Sequence, residues 1–382
     1  MLITKKDFYI NKDVVFLNHG SFGACPKETM EIYQKFQIQL EHQPVEFLDR
    51  KFEESLDYAR EKLANFTGAG KDELVFVPNT TTGLNIVMKS LDLKQGDEIL
   101  TTDQEYGAMR RMLDLYFIPR GVEIKTVNIK LPVKSKEEIY SSVLNWLTPK
   151  TKVLFISHIS SASALRIPVE EIIENAASRG VLTVVDGAHI PGQLPLDLKT
   201  LGADFYAGNC HKWLMTPKGS AFLYARGDNG EKLKPLITSW GMQHKEAQAP
   251  NLIKEFQYNG TIDISAYLSV PAGIEFLKKL IESGQFEAVK NLAREFVEIF
   301  AEETGFEQLY PVDKYFVQNM AAFRFNNCNP VDLKKYLYEK YKIEIPVFTL
   351  NNENFIRYSV QCYTVKKDLE ILIEAVRKFP KR

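Results

Sequence analysis

Apolar residues in this chain come in two forms that take turns. Short, nearly unbroken apolar runs such as Leu74-Val-Phe-Val, Val153-Leu-Phe-Ile-Ser and Val181-Leu-Thr-Val-Val predict buried strands. Segments with apolar residues three or four apart predict helices. Residues 52–67 place Phe52, Leu56, Ala59, Leu63 and Phe66 on one face, and Gly68-Ala-Gly ends the pattern. Residues 14–26 read as a short strand and a glycine-rich loop, and Pro26 opens a helix to about residue 40. Further strands are predicted at 98–102, 122–127 and 205–207. They alternate with helices at 82–90, 108–118, 137–146 and 169–178. Ala221-Phe-Leu-Tyr reads as one arm of a hairpin-like pair with later residues. Strands that are apolar throughout, separated by helices, predict a mostly parallel α/β sheet covered on both faces.

Past residue 264 the rhythm changes. Helices are predicted over 265–283, 286–304 and 331–341, with a last one from about Lys366. Strands are predicted at Met320–Phe325 and from Phe355 to Val360, and 343–348 as extended chain. The chain therefore divides into a large α/β domain over 17–264 and a smaller α+β domain formed by 1–16 with 265–382.

The 382 residues are 45% apolar and 25% charged with a net charge of −1, which suits a globular protein and offers no broad basic surface for nucleic acid. No apolar run approaches the roughly 18 residues of a membrane helix. The first residues lack the apolar core of a signal peptide. The four cysteines form no metal-like spacing with histidines, so no metal site is expected. A cytoplasmic protein with reduced thiols is the expectation.

Candidate chemistry gathers at predicted strand ends. Asp186 closes an apolar strand, and His211-Lys212 follows the next one 26 residues on. A strand-end acid followed by a lysine is what a pyridoxal phosphate enzyme needs. The lysine holds the cofactor as a Schiff base, and the acid keeps the pyridine nitrogen protonated. His189 can reach the cofactor's phenolic oxygen or support the aspartate. Asn79-Thr-Thr-Thr-Gly opens a helix, where Thr80 and Thr81 could bind a phosphate or merely cap the helix. Tyr106, after the strand at 98–102, could lie over a cofactor ring or simply pack. The hydroxyls of Ser157-His-Ile-Ser-Ser-Ala-Ser could reach the phenolic oxygen or form a polar loop. Arg357, alone in the apolar run Ile356-Arg-Tyr-Ser-Val, suits an α-carboxylate, unless it lies on an edge strand facing solvent.

These motifs, with Phe16-Leu-Asn-His-Gly-Ser-Phe-Gly, Gly208-Asn-Cys-His-Lys-Trp-Leu, Gly260-Thr-Ile-Asp and Ile343-Glu-Ile-Pro-Val, resemble the class V aminotransferases across nearly the whole chain. The likeness is greatest to the isopenicillin N epimerase-like branch. It implies the fold-type I architecture, with a mostly parallel seven-stranded sheet between helices and a smaller C-terminal domain. It implies that Lys212 carries the cofactor and Asp186 pairs with the pyridine nitrogen. His189 would sit near the phenolic oxygen, and Thr80, Thr81, Asn209 and His211 would surround the phosphate. Tyr106 occupies the place of the desulfurases' ring-stacking histidine. Thr261 would reach the phosphate of a partner subunit, which implies a homodimer with shared sites. Arg357 would hold the substrate carboxylate, and Asn18 and His19 would line the substrate pocket.

The chain also departs from the pattern. Ser161 stands where desulfurases carry an asparagine. Residues 341–355 hold no cysteine, Cys328 lies far upstream, and Cys362 follows Arg357. A persulfide route is thereby disfavoured. The expected substrate is a small molecule, an amino acid or a derivative of one. The expected outcomes are epimerisation or transamination at the α-carbon, with a carbon–sulfur lyase as the alternative and a non-catalytic binding scaffold behind both.

Overall fold

A computed structural model describes residues 2–242 and 252–380. The two-residue strand β1 (Val15–Phe16) is followed by a helical turn α1 (His19–Phe22), then by helices α2 (Lys27–His42) and α3 (Phe52–Thr67). The loop expected after Phe16 thus contains a turn of helix. Gly23 ends it at φ 70°, and a Cβ there would lie 2.0 Å from the carbonyl oxygen of His211, so only glycine allows this close approach.

The α/β alternation follows as β2 (Leu74–Val77), α4 (Thr80–Ser90), β3 (Glu98–Thr102), α5 (Gly107–Phe117), β4 (Glu123–Val127), α6 (Lys136–Leu144), β5 (Thr151–Ser157), α7 (Val169–Ser178) and β6 (Leu182–Asp186). A short turn α8 (Leu198–Leu201) leads to β7 (Phe205–Asn209) and β8 (Ala221–Ala225). These strands form one seven-stranded sheet in the order β2-β8-β7-β6-β5-β3-β4. All neighbours are parallel except β8, which runs antiparallel to both β2 and β7. The hairpin expected between Ala221–Tyr224 and later residues is not formed. β8 is buried along its whole length, and a strand apolar on both faces is better satisfied between two strands than at an edge.

Alternate side chains of the strands enter two separate cores. Val75, Val77, Phe155 and Val184 pack with Leu84 and Val87 of α4 and Leu113 of α5. Leu74, Phe76, Ile156 and Val185 pack with Leu56 and Leu63 of α3 and Ile172 of α7. With helices on both faces, the parallel strands point their carboxyl ends to one edge, and the loops that leave that edge carry the candidate chemistry.

The rest of the chain adds α9 (Leu252–Gln257), α10 (Ser265–Leu268), α11 (Val270–Glu282), α12 (Gln285–Thr304), β9 (Glu307–Gln308), β10 (Met320–Phe325), α13 (Pro330–Tyr341), β11 (Ile343–Glu344), β12 (Val347–Leu350), β13 (Glu353–Ser359) and α14 (Lys366–Arg377). The single helix expected over 265–283 is two, with Pro271, which has no N–H to give, in the first turn of the second. The extended stretch after Tyr341 also divides at Pro346. β11 pairs in parallel with β1, whereas β12 joins the antiparallel sheet β12-β13-β10-β9. Asn351 and Asn352 turn β12 into β13 with φ of 51° and 64°, a conformation asparagine tolerates. Among the described residues no helix is long and apolar enough to cross a membrane.

Candidate active site

Lys212 lies just beyond β7. The backbone N–H groups of Cys210 and His211 both donate to the carbonyl of Ser220, at 3.1 and 3.2 Å, and this turns the chain back toward the sheet edge. The lysine is half-buried, and its amine stands 3.2 Å from Nε2 of His189. Burial first, then the Arg357 charge, pushes its pKa down to about 8, with Asp186 opposing. An amine held near neutrality can act as a nucleophile or base at ordinary pH.

His189 is buried, and its other ring nitrogen, Nδ1, accepts the indole N–H of Trp213 at 3.2 Å. Its backbone carbonyl accepts from the Gln193 side-chain amide at 2.6 Å, and Gln193 Oε1 accepts the backbone N–H of Asn319, which ties this turn to the residue before β10.

Asp186 ends β6 and is buried. Its Oδ1 accepts the N–H of Ala188 at 3.0 Å, and no other hydrogen bond to its carboxylate is made among the described residues. One face of the carboxylate is therefore open to a donor. Burial raises its pKa, and the Ala188 N–H and Lys212 oppose that shift. Ser157 is its register neighbour on β5. The Ser157 hydroxyl donates to Glu105 Oε2 at 2.5 Å, and Thr102 donates to Oε1 at 2.7 Å. Glu105 is a buried acid pushed up to about 8 by desolvation, with Asp186 adding to the shift. Glu105 is not among the candidates that the sequence singles out, whereas its neighbour Tyr106 is. The available signal was an acid three residues past the strand at 98–102.

Three hydroxyls at and after the end of β5 are taken up within the protein. Ser157 is engaged by Glu105, Ser160 donates to the Gln104 carbonyl at 2.9 Å, and Ser163 donates to Gln104 Oε1 at 2.7 Å. These three bonds tie the end of β5 and its loop to the β3 loop. Ser161 contributes its backbone carbonyl, which accepts from Arg357.

At the start of α4 the Asn79 side chain caps the helix by accepting the Thr82 N–H at 2.8 Å. The cap is therefore Asn79, which leaves Thr80 and Thr81 in the first turn. The Thr80 N–H donates to Asn209 Oδ1 at 3.0 Å, joining α4 to the end of β7, while the buried Thr80 hydroxyl has no partner among the described residues. The His211 ring sits on the same strand end with Nδ1 3.1 Å from the Ser220 carbonyl, and burial lowers its pKa to about 4.

Arg357 is 2% exposed on β13, between β12 and β10, which excludes the solvent-facing edge position. Its guanidinium donates to the Ser161 carbonyl and, at 3.3 Å, to the Ser21 hydroxyl, which in turn donates to Asn18 Oδ1 at 2.5 Å. No carboxylate pairs with it among the described residues, and its Nε has no partner. A Cβ on Gly20 would lie 3.3 Å from its Nη2.

Three further expected residues are His19, Thr261 and Tyr106. His19 is fully buried, with Nδ1 2.8 Å from the Tyr363 hydroxyl and Nε2 3.0 Å from the Lys212 carbonyl. Both nitrogens are used, so the ring steadies the lysine's backbone rather than lining a pocket. Thr261 is exposed and makes no hydrogen bond to these residues. Tyr106 stands at the N-terminus of α5 and is 47% exposed.

The chain matches the family model described as Aminotransferase class-V over residues 16–372. The chain belongs to that family. It is 32% identical over 381 residues to isopenicillin N epimerase of Amycolatopsis lactamdurans, covering 96% of each protein. It is 26% identical to a probable chloroplastic L-cysteine desulfhydrase of Arabidopsis thaliana, covering 95% of this chain and 82% of that one. Its fold superposes on a cysteine desulfurase from Thermococcus onnurineus NA1 with a TM-score of 0.85 at 20% identity, covering 98% and 96% of the two chains. This class-V aminotransferase-fold protein is a pyridoxal phosphate-dependent enzyme. Its residues fit the cofactor. A partnerless Thr80 hydroxyl lies at a helix N-terminus, Asp186 has an open carboxylate face, and the Lys212 amine is depressed toward neutrality.

Proposed function

We propose that this enzyme acts at the α-carbon of an α-amino acid or a derivative of one, in an epimerase-like or transaminating reaction. The observation that carries this reading is Arg357. A guanidinium this deeply buried and without a carboxylate partner is costly, and an α-carboxylate delivered by the substrate satisfies it with paired N–H donors. The 32% identity to an isopenicillin N epimerase over 96% of the chain supports the epimerase-like branch.

Each residue has a stated task in this reading. Lys212 would hold the cofactor and supplies the base for the α-proton. Asp186 would accept the N–H of the pyridine ring, Thr80, Thr81, Asn209 and His211 would hold the phosphate, and Tyr106 would cover the ring. The chemistry supplied by bound pyridoxal phosphate is withdrawal of electrons from the α-carbon of an attached amine. Arg357 fixes the carboxylate, so that the α-hydrogen is presented to the lysine. A homodimer is part of the proposal, in which Thr261, exposed in the single chain, would serve a second copy.

The test is a panel of L- and D-amino acids in heavy water. Deuterium entering the α-position, with inversion followed by chiral chromatography, supports epimerisation, and keto-acid formation supports transamination. Absence of α-exchange with every member would overturn the proposal. A second reading, cleavage of a carbon–sulfur bond by the cofactor alone, is favoured by the desulfhydrase relatives and by the burial of Cys25, Cys210 and Cys362. Sulfide and pyruvate from L-cysteine would support it.

A further inference from the structure

Trp213 directly follows the lysine, and an indole N–H can only donate. It is aimed at Nδ1 of His189 from 3.2 Å. That nitrogen must therefore carry a lone pair, because an imidazolium would set two N–H groups against each other. Burial likewise holds His189 well below the usual imidazole range. A neutral ring with a lone pair on Nδ1 has its one proton on Nε2, the atom 3.2 Å from Lys212 Nζ. An N–H at that place requires a lone pair on the lysine, which is then the free amine.

We propose that Trp213 is a positioning residue that locks His189 in its Nε2–H form, making His189 a fixed hydrogen-bond donor beside the lysine and not the second acid or base of the reaction.

The surroundings keep both rings in place. Trp213 is fully buried, and a Cβ on Gly192 would lie 2.4 Å from its backbone carbonyl, so the turn that carries His189 packs directly on it. Gln193 pins the His189 carbonyl at 2.6 Å. The groups bearing on the lysine and on His189 are Arg357 from β13, Asp186 from β6, His19 from α1 and His211 from the end of β7. His19 and His211 are held down to about 3 and about 4 by burial, so they stay neutral while the lysine titrates. Glu105 titrates near the same pH but is common to every variant compared below.

The role beside the lysine rests on Lys212 being the amine that holds the cofactor. Borohydride fixation of pyridoxal phosphate, compared in wild type and Lys212→Ala, tests that reading separately. The tautomer is read directly by nitrogen-15 NMR of the full-length chain labelled at histidine, with the His189 signal assigned by its loss in His189→Gln. The expected result is protonated Nε2 and unprotonated Nδ1. In Trp213→Phe the freed ring can offer Nε2 as an acceptor to the lysine ammonium. The pH midpoint for capture of pyridoxal phosphate by the cofactor-free chain then rises by about one unit. His189→Gln keeps an N–H donor and retains pyridoxal phosphate affinity within about threefold, whereas His189→Leu loses about tenfold. A proton on Nδ1 in the wild type overturns the proposal. So does an unchanged midpoint in a folded Trp213→Phe, or equal losses in the two His189 variants. If Trp213→Phe does not fold, the NMR pattern and the glutamine–leucine pair decide.

Discussion

Arg357 reaches from β13 of the four-stranded sheet to the Ser161 carbonyl in the loop after β5 of the seven-stranded sheet. One side chain thus bridges the two sheets, and its charge bears on Lys212. Burial pulls its pKa down to about 10, so it is still charged at neutral pH. Arg357→Ala is expected to cost about 2–5 kcal/mol, roughly 30-fold to several thousand-fold in kcat/KM, for substrates with an α-carboxylate. The corresponding simple amines should lose far less. Measuring kcat/KM for an amino acid and its decarboxylated amine in both proteins checks this, and equal losses would refute the carboxylate role.

Lys212→Ala is expected to remove the visible absorbance of covalently held cofactor and to reduce α-hydrogen exchange by at least about 10²–10⁴-fold. The substitution removes a half-buried side chain whose backbone is still held by His19 through the Lys212 carbonyl. The fold should therefore survive, with thermal unfolding close to wild type. Persistence of the absorbance in the absence of added amines would place the cofactor on another lysine.

Much of this site was legible because its residues end apolar strands. Asp186, Asn209 and the Thr80 turn each follow a buried run, and a parallel sheet collects such ends at one edge. What could not be read was where loop side chains point. His19 looked like a pocket residue, but Gly23 lets α1 fold back onto His211, and the ring is carried under the lysine's backbone. The serines after β5 looked available until the β3 loop took up their hydroxyls. β8 resembled a hairpin arm because the sequence gives its burial but not its neighbours. Pro271 and Pro346 were visible as breaks, yet the periodicity on each side ran through them.

Glu105 should make stability depend on pH. Its folded value of about 8 lies above the ordinary 4.5, because burial disfavours the carboxylate. A raised acid contributes stability that is fully present below about pH 4.5 and is lost as pH rises through 8. The loss is about 1.4 kcal/mol per pH unit within that window. Relative to Glu105→Gln, which cannot ionise, wild type should lose a few kcal/mol between pH 5.5 and 8.5. Urea unfolding of both proteins at the two pH values measures it. Parallel changes would mean that Glu105 ionises in the fold as it does in water.

None of the cysteines is placed as a sulfur-accepting nucleophile. Such a group must be a thiolate that can swing to the substrate. Cys25, Cys210 and Cys362 are buried, and desolvation pushes all three thiols up, Cys25 and Cys362 to about 12. Cys362 follows β13 with its backbone N–H held by the Gln361 side chain at 2.8 Å. Cys328 is only partly buried, but it lies between β10 and α13, not on the β12–β13 hairpin that leads to Arg357. Replacing the four cysteines one at a time by alanine should leave turnover of the best substrate within about threefold, apart from losses of packing at the buried positions. Sulfide release from L-cysteine should be followed in the same variants. Release that vanishes with a single cysteine would establish a persulfide route and overturn the α-carbon reading as the main activity. Release that survives every replacement would show that Lys212 and the cofactor expel the sulfur without a protein thiol.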